Sequence, residues 1–243
     1  MALHFRSSFG PDARPRRHFL TRAEIIEAAA AILERDGYDG LNMRSIAEEL
    51  GVKATALYRY VGSRRDLDDI LFDHLMAGCT PAVEGEDWRD DLRTIALAWR
   101  ARLIGKRDAT RIALEQVSIG PNLLPLMEAS FAALRRSGLP DRDALEAYQT
   151  CTLFVHSFAR AEAAYREVTS RRENEAALAT SPQQGWVAAY PLVFAFRELM
   201  LAPPDFDYRF AFGLDTLLAG IERRVAEVGG RAGEHPRGSF PRL

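Results

Sequence analysis

The chain has 243 residues, of which 47% are hydrophobic and 27% charged, and its formal net charge is −2. That balance excludes an intrinsically disordered chain and a globally cationic one, so any contact with nucleic acid must come from local clustering of basic residues. Two cysteines, Cys79 and Cys151, make neither a disulfide framework nor a zinc-ligand spacing, and no run approaches the roughly 20 apolar residues of a bilayer span, so the expectation is a cytoplasmic protein with no metal, cofactor or membrane contact.

Nearly every segment repeats its apolar residues at helical spacing, and no strand candidate combines alternation with flanking turn residues, so the fold class is all-α. Residues 1–19 are rich in Arg and Pro and read as a flexible basic arm. Thr21 and Glu24 form a capping box, with Leu20 stapled onto Ile25, and open a helix that ends at Gly37. Asn42 caps a second helix, with a Leu41 to Ile46 staple, that closes at Gly51. A very short third helix fits Ala54 to Tyr60, and Ser63 with Asp66 opens a fourth carrying Leu67, Ile70, Leu71 and Leu75 on one face. A domain boundary follows near Gly78 to Gly85.

Beyond it the spacing predicts longer helices over Asp87 to Lys106, a short one to about Ser118, Pro121 to Ser137 and Pro140 to about Arg172. Two more are expected near Trp186 to Leu201 and Asp205 to Val228. Residues 20–78 thus form one unit and 86–228 a second, with a flexible tail over 229–243.

The stretch "MRSIAEELGVKATALYRYVGSRRDLDDIL" has helix-turn-helix spacing, with Ala47, Gly51, Val52 and Leu57 placed at the crossing. The leading half of its second helix then faces outward, and Ala54, Thr55 and Ala56 carry little enough bulk there to enter a major groove, with Lys53 before them on a basic rim. Tyr58, Arg59, Tyr60, Arg64 and Arg65 gather at the following turn, where their hydroxyls and guanidinium groups suit phosphate oxygens, and Arg44 extends the basic rim. The arm's Arg14, Arg16 and Arg17 could reach an adjacent minor groove. Taken singly, each of these side chains reads as ordinary solvated surface; the crossing residues and caps are what single out double-stranded DNA as the partner.

The run from Leu20 to Leu75, and above all Leu57-Tyr58-Arg59-Tyr60-Val61-Gly62-Ser63-Arg64, resembles the DNA-binding domain of the tetracycline-repressor (TetR) family of bacterial transcription regulators. "DWRDDLRTIALAWRARL" and "GPNLLPLMEASFAALRRSGLP" resemble the regulatory domain of the branch containing the tetracycline repressors themselves. The resemblance implies a three-helix DNA-binding domain joined to a larger helical domain, a homodimer on a palindromic operator, and a small-molecule effector pocket in each subunit. It also implies phosphate contacts from Tyr58, Tyr60 and Arg64 and base contacts from Arg44, Ala54, Thr55, Ala56 and Arg59. Lys53 stands where many relatives carry a capping Ser or Thr, so the short helix should start less firmly. Relatives that bind tetracycline carry a magnesium-coordinating histidine before the turn matching Gly120-Pro121, where this chain has Ser118-Ile119; an effector other than magnesium–tetracycline, hydrophobic or aromatic, is implied.

In the last helix Phe210, Leu214, Leu217, Ile221, Val225 and Val228 form an apolar stripe, and Gly213 and Gly220 would permit close approach. The stripe suits either core or a dimer seam shared with the helix from Pro140, as rigid half-site spacing requires. On that helix Cys151, Phe154, Phe158 and Ala161 follow one line and Leu145, Gln149, Thr152 and His156 another, with Arg160 beside it. Polar Gln149, Thr152, His156 and Arg160 fit a mostly apolar cavity that Trp99, Leu103, Leu114, Val117, Met127, Phe131, Trp186 and Tyr190 would also line. A core histidine bonded internally is the competing reading of His156. Five scattered histidines and the absence of nucleophile or phosphate-loop motifs give an all-α enzyme little support, and a ligand-independent DNA-binding or architectural protein is the other alternative.

Overall fold

A computed structural model describes residues 20–79, 81, 83, 85–113, 119–170 and 184–232. The predicted arm over 1–19, Leu114, Val117 and all but the start of the predicted tail lie outside them.

Among the described residues there are twelve helices and no strand. The N-terminal unit comprises α1 (Arg22–Asp36), α2 (Met43–Glu49), α3 (Ala54–Leu57) and α4 (Arg64–Leu75). Its caps follow the sequence reading. Thr21 Oγ1 accepts from the Glu24 amide at 3.2 Å while Glu24 Oε2 accepts from the Thr21 amide at 2.7 Å. The Asn42 side chain accepts from the Arg44 and Ser45 amides, and Ser45 Oγ returns the bond by accepting from the Asn42 amide at 3.0 Å. Ser63 Oγ accepts from the Asp66 amide at 3.1 Å and starts α4. The helix at α3 is shorter than predicted, because the amides of Tyr60 and Val61 both turn back onto the Leu57 carbonyl. Ile25, Ile32, Leu41, Ile46, Leu57, Val61, Leu67 and Leu71 are fully buried and make the core on which these short helices depend.

The second unit comprises α5 (Trp88–Ile104), α6 (Ala109–Ala113), α7 (Leu124–Arg136), α8 (Asp141–Ser170), α9 (Gln184–Ala189), α10 (Pro191–Ala195), α11 (Arg197–Leu201) and α12 (Phe206–Ala232). Helices α5, α7 and α8 pack on one another, and α12 lies along α8. Phe210 of α12 stacks on Phe154 at 5.3 Å and meets Phe158 edge-on at 5.2 Å. A Cβ at Gly213 would sit 2.7 Å from the Phe154 ring, so glycine there is what lets α12 approach. Gly220 differs: its Cβ position is open within the single chain.

Three further boundaries depart from the sequence reading. Helix α7 begins at Leu124, not Pro121, because the residues before it form a turn whose amides are held from outside the segment, by Asp73. The single helix expected over Trp186 to Leu201 is three short ones: Pro191 has no amide to donate, and Tyr190 before it leaves the helical region at φ −130°, ψ 57°. Helix α12 continues to Ala232, past the predicted end at Val228, since Gly229 keeps a helical backbone and not the left-handed turn that stops a helix.

Candidate nucleic-acid interface and ligand core

The turn between α2 and α3 is set by Gly51, whose φ of 65° costs a residue without a side chain little. Beyond it the Val52 amide donates to the Ala47 carbonyl at 2.9 Å, locking the angle between the two helices. With Leu57 and Val61 buried beneath, Lys53, Thr55, Tyr58 and Arg59 are left exposed on one surface, and Ala54 and Ala56 are half-buried beside them. Tyr60 is half-buried against the core, and Arg65 is exposed at the first turn of α4. As its residue type foretold, Lys53 makes no side-chain capping bond to α3. Arg44 is exposed and pairs with Glu48 at 3.1 Å, a solvent-screened contact worth little that leaves the guanidinium available.

Arg64 departs from the expectation of a free phosphate donor. Its Nε donates to Asp68 at 2.9 Å, its Nη1 donates to the Leu41 carbonyl, and the guanidinium lies over the Tyr38 ring at 4.6 Å. The side chain ties α4 to the turn between α1 and α2; only Nη2 is left buried without a partner.

In the second unit the structure brings Trp99, Thr152 and His156 together and leaves other predicted pocket residues elsewhere. Trp99 meets His156 edge-on at 4.9 Å, and Phe72 of α4 meets His156 edge-on at 6.0 Å. Trp99 Nε1 and His156 Nε2 are buried without hydrogen-bond partners, and the buried Thr152 Oγ1 has only the Tyr148 hydroxyl beside it. Burial holds His156 neutral, pushing it down to about 4, and pushes the Cys151 thiol up to about 11 and the Tyr148 hydroxyl up to about 12. The adjoining cavity, lined by Leu92, Trp99, Tyr148, Thr152, Val155 and Leu214 among others, holds about 20 Å³, room for a water molecule and no more. Leu103 is buried, and Met127 and Phe131 pack against the core, Phe131 with its ring 4.7 Å from Tyr148. Gln149 and Arg160 are half-buried on α8. Trp186 and Tyr190, in contrast, are exposed within the single chain and stand outside the lining of this cavity; as pocket residues of the same subunit they are corrected.

Two groups escaped the sequence reading. Arg100 and Glu162 are buried, Arg100 Nε donating to Glu162 Oε2 at 2.8 Å and Nη1 to Asp207 at 2.8 Å, with the guanidinium over the rings of Phe210 and Phe158. Their helical spacing from buried neighbours, Ala96 to Arg100 to Leu103 and Val155 to Ala159 to Glu162, was the available signal. The second group joins the two units. Asp73 of α4 accepts from the Asn122 and Leu123 amides at 3.0 and 3.1 Å. Arg107 donates to the Glu34 and Arg35 carbonyls at the end of α1, Asp108 accepts from the Tyr38 amide at 2.8 Å, and Arg111 pairs with Asp39 at 2.8 Å.

Residues 25–67 match the family model for bacterial regulatory proteins of the tetR family, and residues 80–225 match the tetracyclin repressor-like C-terminal domain. The chain belongs to the TetR family. As a TetR-family protein it is a DNA-binding transcription regulator, with the helix-turn-helix in its N-terminal unit. It is 31% identical over 224 residues to the HTH-type transcriptional repressor DrrR1 of Streptomyces coeruleorubidus, covering 88% of this chain and 81% of that one. To the class D tetracycline repressor protein of Escherichia coli it is 28% identical over 213 residues, 86% of this chain and 92% of the relative. The Streptomyces coelicolor TetR family protein ActR in complex with actinorhodin superposes with a TM-score of 0.72 at 28% identity, covering 85% of this chain and 98% of that one. No helix among the described residues is long and apolar enough to cross a membrane.

Proposed function

We propose that this regulator is a homodimeric repressor that grips a two-fold symmetric operator through α3 and its flanks and lets go when a small molecule enters the core between α5 and α8. The single observation that carries the DNA reading is the exposure of Lys53, Thr55, Tyr58 and Arg59 on one surface above a fully buried Leu57. In this reading Thr55 touches base edges, with Ala54 and Ala56 beside it; Tyr58, Tyr60, Arg65 and the α4 N-terminus hold phosphates; Arg44 and Arg59 reach the groove walls. Arg64 supports them from beneath by fixing α4.

Pairing of two chains is supported by exposed apolar side chains on α8, α11 and α12, among them Leu153, Leu199, Met200 and Phe212, which are more than half accessible in the single chain. Effector control is supported by ActR, a relative described in complex with actinorhodin. The cavity of about 20 Å³ favours a second reading, a DNA-binding protein without ligand control, in which the core stays closed.

The test is selection of duplexes from a random-sequence pool. Inverted repeats are expected, with Tyr58→Phe weakening binding to all duplexes alike at an unchanged salt dependence, since a neutral hydroxyl releases no counterion, and Thr55→Ala relaxing base preference. Recovery of single, unpaired half-sites would refute the symmetric dimer, and equal loss of Thr55→Ala binding on selected and random duplexes would refute its groove assignment.

A further inference from the structure

The core between α5 and α8 contains three buried polar atoms short of partners: Trp99 Nε1 and His156 Nε2 bond to nothing, and Thr152 Oγ1 has only the Tyr148 hydroxyl beside it. A buried donor or acceptor left unpaired carries a desolvation cost that native cores ordinarily avoid. Trp99 is 4% exposed, its ring edge-on to His156 at 4.9 Å, so its N–H is held in the interior of the core. Among the described residues, none that lines the adjoining cavity carries a charge. Leu92, Ile95, Ala96, Leu134, Val155 and Leu214 line the adjoining cavity, and the nearest buried cation, Arg100, is already neutralised by Glu162.

These three atoms specify a ligand by their chemistry. An indole N–H only donates, so the ligand must present an acceptor; a threonine hydroxyl and a neutral imidazole can each donate or accept, so one ligand hydroxyl can be both donor and acceptor among them. The apolar walls and the rings of Trp99 and Phe72 favour a flat aromatic body. A carboxylate or ammonium would be stripped of water with no opposite charge on the described lining to meet it.

Building on the effector reading above, we propose that the ligand class is an uncharged aromatic compound bearing a hydroxyl group, recognised by Trp99, Thr152 and His156, and that charged aromatics are rejected. Since the cavity holds about 20 Å³, the ligand must part α5 from α8 as it enters. Phe72, packed against His156, carries that displacement to α4.

Three probes of one size separate the terms: 1-naphthol, 1-methylnaphthalene and 1-naphthoate, titrated calorimetrically into the full chain, with affinity for a duplex selected from the random pool measured alongside. The expected result is that 1-naphthol binds about ten-fold or more tighter than 1-methylnaphthalene, the effect of one or two net hydrogen bonds, and that 1-naphthoate does not bind. Trp99→Phe, Thr152→Val and His156→Phe keep the shape, and each should shrink the hydroxyl preference while leaving 1-methylnaphthalene binding in place, which also shows that the variant is folded. Equal binding of naphthol and methylnaphthalene, tighter binding of naphthoate, no binding of any probe, or a preference untouched by all three variants would overturn the proposal. The two readings fail separately. If naphthol binds with the expected preference and duplex affinity does not change, the ligand class stands and effector control falls. If a charged compound releases the duplex, effector control stands and this ligand class falls.

Discussion

Replacing Glu162 by Gln isolates the buried charge pair at the centre of the second unit. Glu162 is fully buried and Arg100 is 5% exposed, with Nε and Oε2 2.8 Å apart. Removing the carboxylate charge leaves the Arg100 guanidinium buried against Phe210 and Phe158, with Asp207 as its remaining anion. The Asp207 side chain is almost fully exposed, so its attraction is screened and offsets on the order of 1 kcal/mol at most. The aromatic faces contribute about 1 kcal/mol in both variant and parent and so do not rescue the difference. Breaking a buried pair from one side typically costs about 3–5 kcal/mol; because Gln can still accept one hydrogen bond, about 3 kcal/mol is expected. The assay is urea unfolding at fixed protein concentration and pH 7, where the midpoint should fall with an unchanged slope. Removing both charges, as Arg100→Met with Glu162→Leu, should restore most of the loss, since the uncompensated charge and not the missing contact is the source of the cost. If Glu162→Gln costs less than about 1 kcal/mol, or the double variant is as unstable as the single, the pair is not the buried, mutually dependent unit described.

Four further outcomes follow from the same geometry. Because burial lowers His156 to about 4 from an ordinary value near 6.5, the unfolded chain takes up a proton before the folded one does; stability should therefore fall by up to about 3 kcal/mol as pH drops from 6.5 to 4, and a pH series of urea midpoints should lose that component in His156→Leu. Asp108→Ala leaves the Tyr38 amide without its acceptor and should cost about 1–3 kcal/mol, while Asp108→Asn, which tolerates the left-handed φ of 54° and still offers an acceptor oxygen, should cost less by the same measurement. Gly213→Ala drives a methyl into the Phe154 ring and should destabilise by about 1–3 kcal/mol. Gly220→Ala meets open space and should raise single-chain stability by up to about 1 kcal/mol through helix propensity; a fall in dimer affinity on sedimentation would instead place Gly220 at the subunit seam.

Features decided by near neighbours in the chain were legible beforehand. The Thr21–Glu24 box and the Asn42 cap find their partners within three positions, and Gly51 needs only its own missing side chain to turn left-handed. The exposed surface at Thr55, Tyr58 and Arg59 followed from those elements, because the helix-turn-helix crossing fixes which side is buried. Partners drawn from distant sequence were not legible. Arg64 finds the Leu41 carbonyl and the Tyr38 ring, and so is engaged where sequence alone left it free. The start of α7 moved because Asp73, about 50 residues earlier, holds the preceding amides. The aromatic stripe of α8 was read correctly at Phe154 and Phe158, whereas Tyr148, Val155 and Glu162 were missed because what lies against them belongs to α5, α7 and α12. Residue type alone points Trp186 and Tyr190 to the pocket, but which large aromatic side chains a helix buries depends on what packs against it, and both are exposed in the single chain.

The bonds that Arg107 and Asp108 send across to α1 and Tyr38 carry a lesson for anyone hoping to transplant the operator-reading head. Glu34 and Arg35 end their helix on oxygens completed by a side chain more than 70 positions downstream, so residues 20–79 excised alone would fray at that seam. A functional chimera would have to graft the segment through Arg111 together with the head, or engineer a local stop for α1 in its place.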